Sequence, residues 1–240
     1  MVGQTVFLYP GQGSQFPGMA QDLFNKYSVV KSLFVRASEA CGKDMEALLF
    51  EGSAEDLKAT ENAQAAIVLA SLAAREALME NGIESTGCAG HSLGEYTALA
   101  DAGVLSPEDA LRAVTARGQH MAAAAAKAIS EKGEVGMAAV VGIGPYEVRE
   151  ALEGVVDVWS ANENGPNQVV IAGTKAGMNG AEEKLKAAGA RRIIPLPVSG
   201  PFHTPLMADA AGALELTLKD MAFNEPTKVV WSNVNAAPVT

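Results

Sequence analysis

The segment Gly90-His91-Ser92-Leu93-Gly94 carries more information about this chain than any other. It fits G-x-S-x-G, in which a serine sits on a sharp strand-to-helix turn and its oxygen is lifted clear of a parallel sheet. Glycines on both sides let the backbone turn that tightly. The flanks agree with this context. Thr86-Gly87-Cys88-Ala89 has the character of a short buried strand, and residues 95–102 read as the first turns of a helix that Gly103 ends. A serine there lies at a helix N-terminus, where backbone N–H groups can hold a developing oxyanion. The pattern is short and common, so a glycine-rich turn with an incidental serine also satisfies it. The rest of the chain must decide between the two.

Upstream, residues 5–9 form a short apolar, β-rich run that predicts a buried strand, followed by the loop Pro10-Gly11-Gln12-Gly13-Ser14-Gln15. Residues 22–41 carry helices and 46–50 a short one. Residues 61–80 predict a long helix, apolar round most of its cylinder and therefore buried, closed by Asn81-Gly82. Downstream, Ser106 has the position of an N-cap, with Pro107 at the first helical position and Glu108 and Asp109 in the first turn. That helix runs through Arg117 and Met121 toward an alanine run. Residues 122–134 change the texture of the chain. Beyond them the pattern is strand 135–143, helix 145–152, strand 155–161, strand 168–172, helix 176–188 and strand 190–197, with Asn164-Gly165-Pro166-Asn167 as the turn between the middle strands. This is the split β-α-β, ferredoxin-like order, and it reads as an insert. Ser199-Gly200-Pro201-Phe202-His203-Thr204-Pro205 is then a loop, a helix starts near Leu206, and 228–234 is a further β run before the turn Ala236-Ala237-Pro238. The fold class expected is α/β: an α/β-hydrolase-like large subdomain with a parallel sheet and nucleophile elbow at 1–126 and 199–240, and an inserted ferredoxin-like small subdomain at 127–198.

Composition narrows the function classes. A length of 240 residues with 48% hydrophobic content supports a packed core and argues against disorder. The formal net charge of −10 argues against non-specific nucleic-acid binding. Cys41 and Cys88, without CxxC spacing, indicate neither a disulfide framework nor a zinc site, and Cys88 reads as a core residue. The N-terminus lacks the basic flank of a signal peptide, and no apolar run reaches the length of a membrane span. A cytoplasmic location, no membrane contact and no metal are the resulting expectations. Lys184, Lys186, Arg191 and Arg192 form a local basic cluster, read as a solvated helix face and strand start rather than a landing patch for an acidic partner.

A serine nucleophile needs a base within hydrogen-bond reach. Of the three histidines, His91 is adjacent to Ser92 in the elbow and is expected to point away, and His120 sits on a helix. His203, in a rigid loop where the chain returns from the insert, is the candidate base; a surface-loop histidine is the plainer alternative. The N–H of Leu93 supplies one oxyanion donor, and the loop Gly11-Gln12-Gly13 has the character to supply the other, although a simple strand-to-helix turn has the same look. Arg117 stands on an otherwise apolar helix beside Gly118, a residue about 1 kcal/mol worse than Ala in a helix interior. Gly118 is therefore read as permitting a close approach, and Arg117 as suited to a carboxylate or as a paired structural arginine.

Together these stretches resemble the malonyl-CoA:acyl-carrier-protein transacylase family of fatty-acid synthesis. The matching segments are Pro10-Gly11-Gln12-Gly13-Ser14-Gln15, Gly90-His91-Ser92-Leu93-Gly94-Glu95-Tyr96, Arg117-Gly118-Gln119-His120-Met121, residues 164–173 and residues 197–203, in that order along the chain. The resemblance implies that Ser92 attacks a malonyl thioester, His203 takes its proton, the N–H groups of Gln12 and Leu93 hold the oxyanion, and Arg117 pairs with the malonyl carboxylate. It implies further substrate-facing roles for Phe202, Met121, Gln64, Asn162 and Asn164. The partners implied are malonyl-CoA and an acyl carrier protein, with no cofactor, no nucleic acid and no membrane, and with a monomeric protein. One departure accompanies it. Members of the family continue beyond the position of Thr240, and the stretch this chain lacks includes a Gln whose carbonyl orients the catalytic histidine. A thioesterase using the same Ser–His pair, and an inactive fragment that binds carrier protein, are the competing expectations.

Overall fold

The structure, a computed structural model, describes residues 5–239. The elements in chain order are β1 (Val6–Tyr9), α1 (Gln21–Lys26), α2 (Ser28–Cys41), α3 (Met45–Phe50), α4 (Ala54–Lys58), α5 (Thr60–Glu80), β2 (Gly87–Gly90), α6 (Gly94–Asp101), α7 (Pro107–Lys132), β3 (Val135–Val141), α8 (Pro145–Leu152), β4 (Val158–Gly165), β5 (Gln168–Thr174), α9 (Lys175–Ala187), β6 (Arg192–Pro195), a 3-10 turn (Pro205–Met207), α10 (Ala208–Lys219) and β7 (Val229–Trp231). They form two compact units. One comprises the described residues up to Gln119 and those from Leu214 onward; the other comprises His120–Ala213. Composition placed the changeover at 126/127 and 198/199. The contacts place it inside α7 and α10.

In the first unit a parallel sheet runs in the order β1-β2-β7, with Tyr9 opposite Gly90 and Ala89 opposite Trp231. Its main core packs α2, α3 and α5 together through Leu33, Phe34, Met45, Leu49, Leu69 and Leu72. The all-round apolar reading of α5 holds, since residues on most of its turns are buried. The expectation of a buried first strand does not hold. Strand alternation puts Val6 and Leu8 on one face, and there they are 52% and 76% exposed, while Tyr9 is buried. With Phe16, Leu23 and Leu78 they border an apolar groove of about 430 Å³. Helix α4 was not expected. Its signal is the capping box in which Ser53 Oγ accepts from the Asp56 N–H and the Asp56 carboxylate accepts from the Ser53 N–H. Ser106 caps α7 as expected, its Oγ accepting from the Asp109 N–H at 2.9 Å.

The second unit is an antiparallel sheet in the order β4-β5-β3-β6 with α8 and α9, the ferredoxin-like arrangement. Period-two alternation divides its strands between two cores. Ala138, Val140, Val169 and Ile171 pack with α8 and α9 residues such as Val148 and Leu185. Met137, Ala139, Val170 and Ala172 pack with Met121, Ala125, Phe202 and Met207. Strand β4 starts at Val158, later than the pattern suggested, because Asp157 adopts a φ of 58° that ends the preceding turn. It runs on to Gly165, so the hairpin turn contracts to Pro166-Asn167. Strand β7 is likewise shorter than the β run at 228–234: the chain turns back after Trp231, which bridges Pro238.

Candidate active site

The elbow is built from glycines that have no room to be anything else. A Cβ on Gly90 would fall 1.9 Å from the Gly94 carbonyl carbon, and one on Gly94 would fall 2.3 Å from the Tyr9 oxygen. A Cβ on Gly11 would meet the His91 oxygen at 2.6 Å. The bend is therefore folded onto itself and pressed against β1 and the loop that follows it. Ser92 sits at its apex with a φ of 49°, a left-handed conformation that L-residues rarely adopt. Strain of this kind persists only where the surroundings over-determine it, and it gathers at functional positions. α6 begins two residues later, so the Leu93 N–H lies at a helix N-terminus. Among the described residues that N–H donates to no protein acceptor, whereas the Ser92 N–H donates to Asn233 Oδ1 at 2.9 Å and the Gly94 N–H to the His91 oxygen at 3.0 Å. The loop carrying Gln12 is held by Ser14 Oγ donating to the Gly11 oxygen and the Gly13 N–H donating to Gln15 Oε1, both at 2.9 Å.

Arg117 lies half-buried on α7. Its Nη1 donates to Oε1 of the fully buried Gln64 at 2.7 Å, and its guanidinium stands 5.9 Å from the ring centre of Tyr96 on α6. Burial pulls its pKa below the ordinary guanidinium value, and Tyr96 opposes that pull. Among the described residues no carboxylate forms an ion pair with it. A partly desolvated cation with a neutral amide as its hydrogen-bond partner favours an anion that completes it. Gly118 does permit a close approach. A Cβ there would fall 2.9 Å from the Thr60 oxygen and 3.0 Å from Glu61 Cα, so α7 packs tightly on the start of α5, and this places Arg117 beside Gln64.

His203 belongs to the second unit. It is exposed and has a φ of 60°. Its loop is pinned on both sides: Thr204 Oγ1 donates to the Pro201 oxygen at 2.6 Å, and Gly200 leaves no space for a Cβ against Ala125 and the Phe202 ring, each at 2.8 Å. Phe202 and Met121 are buried in the same apolar cluster. Asn162 lies on β4 between two register shifts, half-buried, and Asn164 is exposed near the strand's end. The residues singled out in the sequence thus divide. Ser92, Leu93, Gln12, Gln64 and Arg117 gather in the first unit, and His203, Phe202, Met121, Asn162 and Asn164 belong to the second.

Sequence reasoning missed two groups. Asn233 had no local signal, because only the pairing of β2 with β7 brings it to the elbow. Asp101, at the end of α6, is almost fully buried and accepts from Arg75 Nε at 2.8 Å, Ser85 Oγ at 2.9 Å and Lys228 Nζ at 3.2 Å. Burial acts to raise its pKa, but the hydrogen bonds from these donors outweigh it and hold the carboxyl below its usual range. Nearby, burial pushes the Cys88 thiol up to about 12. Among the described residues no group of His, Cys, Asp and Glu has the makings of a metal site, and no helix is long and apolar enough to cross a membrane.

Comparison with known proteins identifies the family. The malonyl CoA-acyl carrier protein transacylase of Bacillus subtilis is 42% identical over 243 residues, spanning 100% of this chain and 75% of that protein. The Escherichia coli K12 protein of the same name is 43% identical, spanning 97% of this chain and 75% of its own length. The crystal structure of MCAT from Streptococcus pneumoniae superposes with a TM-score of 0.92 at 38% identity, covering 99% of this chain and 77% of that one. A malonyl-transacylase solved in complex with its type II PKS acyl-carrier protein gives a TM-score of 0.91 at 37% identity, covering 99% of this chain and 76% of that one. The family profile described as acyl transferase domain matches residues 6–240, and the chain belongs to that family.

Proposed function

We propose that this chain moves a malonyl group from coenzyme A to the phosphopantetheine thiol of an acyl carrier protein, through an ester on Ser92. The observation that carries the reading is Arg117, a half-buried guanidinium beside the elbow helix with which no carboxylate among the described residues forms an ion pair. A substrate bearing its own carboxylate supplies the missing anion. Ser92 Oγ attacks the thioester carbonyl while His203 takes the hydroxyl proton. The oxyanion forms against the N–H groups of Leu93 and Gln12. The thiol of coenzyme A leaves with the proton from His203, and the carrier-protein thiol then attacks the ester by the same steps in reverse. Thioester and ester differ little in energy, so exclusion of water together with a shaped oxyanion site is what the reaction demands. The strained φ values at both Ser92 and His203 support their pairing as nucleophile and base. Two buried free cysteines support a reducing compartment such as the cytoplasm.

The same site would be poorly suited to a thioesterase for plain acyl chains, which has no use for a half-buried cation. Intact-mass and peptide-mapping experiments separate the readings. Malonyl-CoA is expected to add one malonyl group to Ser92, and the Ser92→Ala variant to stay unmodified. Fast release of free malonate without carrier protein would instead indicate hydrolysis, and absence of any adduct would remove the acyl-enzyme.

A further inference from the structure

We propose that Asn233 is a positioning residue that holds the nucleophile elbow in its productive conformation; the inference rests on the reading of Ser92 as the acylated residue. Asn233 follows β7 and is 141 positions from Ser92. Its Oδ1 accepts from the Ser92 N–H at 2.9 Å, and its Nδ2 donates to the Gly90 oxygen at 2.6 Å. Its own backbone N–H donates to the Glu95 carboxylate, on the first turn of α6, at 3.3 Å. One side chain thus spans the bend on both sides of His91, and its backbone reaches the helix that follows.

The chemistry of that bridge is specific. It needs an acceptor and a donor on the same short side chain, which a carboxamide provides; a carboxylate cannot donate, and an aliphatic chain does neither. The bridge matters because Ser92 is held at a φ of 49°. Relaxation of that angle would rotate the peptide groups on either side, swinging both Ser92 Oγ and the Leu93 N–H. Tying the Gly90 oxygen and the Ser92 N–H to one rigid amide opposes this rotation. The platform beneath Asn233 is itself fixed. The Ser232 N–H donates to the Ala237 oxygen at 2.9 Å, the Ala237 N–H to Asn235 Oδ1 at 3.1 Å and the Val239 N–H to the Val230 oxygen at 2.8 Å. Asn233 is exposed, so truncating it opens no cavity in a core.

The test is rapid-quench mass spectrometry of Ser92 acylation in the full chain, across a range of malonyl-CoA concentrations, with folding followed by circular dichroism. Asn233→Ala removes both bonds and is expected to lower the maximal acylation rate constant by roughly 30- to 100-fold, the scale of a misplaced reacting group. Asn233→Asp keeps size and polarity but turns an acceptor toward the Gly90 oxygen, and a loss of about tenfold or more is expected. The half-saturating concentration should move less than about threefold, because Arg117 and Gln64 hold the substrate from other elements. A maximal rate within about threefold of the parent in either folded variant, or a loss confined to the half-saturating concentration, overturns the proposal. If the parent protein forms no adduct, the acyl-enzyme falls and takes this inference with it; if parent and variants acylate alike, only the role of Asn233 falls.

Discussion

Ser92 and Arg117 owe their chemistry to different constraints. Ser92 is an ordinary hydroxyl placed at a strained apex, and Arg117 is an ordinary cation held partly out of water. Under the proposed function, Arg117 is the group that selects a charged acyl chain. Arg117→Ala is expected to lower kcat/KM for malonyl transfer about 100-fold or more, the worth of a desolvated charge-assisted pair, while acetyl transfer falls less than about tenfold. Arg117→Lys should recover part of the loss, since an ammonium restores the charge without the two-pronged fork. Equal losses for both acyl groups would remove Arg117 from the carboxylate role. The cysteines behave in the opposite sense. Burial raises the pKa of both thiols, so neither Cys41 nor Cys88 should react with a disulfide reagent at pH 8 until the chain is unfolded; rapid labelling of Cys88 in the native protein would contradict its place in the core. Ser92 and Arg117 were legible in the sequence because short glycine motifs surround both of them. Asn233 was not, since an isolated asparagine in a turn has no pattern.

Two helices and a strand carry these residues, and their packing explains the glycines. In α7, Gly118 opposes two effects of known size. Alanine is favoured over glycine in a helix interior by about 1 kcal/mol. Its Cβ, however, would stand 2.9 Å from a backbone oxygen of α5, which cannot yield as a flexible side chain does. Overpacking of this kind costs about 1–3 kcal/mol. Gly118→Ala is therefore expected to destabilise by about 1 kcal/mol net and to raise KM by shifting Arg117 away from Gln64, as urea unfolding and steady-state kinetics would measure. A more stable variant would mean that α5 and α7 separate freely. The capping signals of α4 and α7 and the glycine stops were readable locally. The depth of β1 was not, because alternation says which residues share a face but not whether anything covers it.

Across the first unit, Asp101 joins elements that are distant in sequence: Arg75 on α5, Ser85 before β2, its own helix α6, and Lys228 at the start of β7. Its folded pKa lies below an unfolded value of about 3.9. The unfolded chain therefore binds more protons in that range, so the stabilisation is complete above pH about 4 and is lost as pH falls through the lowered folded value. Asp101→Asn should cost about 3 kcal/mol at pH 7, since it leaves Arg75 and Lys228 without their buried partner. The gap from the parent protein in urea unfolding should narrow as the pH falls below about 4; a gap independent of pH would show that Asp101 acts by shape alone. By itself the sequence determined the fold class, the elbow, the ferredoxin-like insert and the candidate serine, histidine and arginine, because these follow from local periodicity, turn chemistry and short motifs. The meeting of Arg117 with Gln64, the hydrogen bonds of Asn233 across the elbow, the Asp101 network and the open face of β1 came only with folding. Each depends on which residues the sheet register and helix packing bring together across more than a turn or two of chain, and no local pattern encodes that.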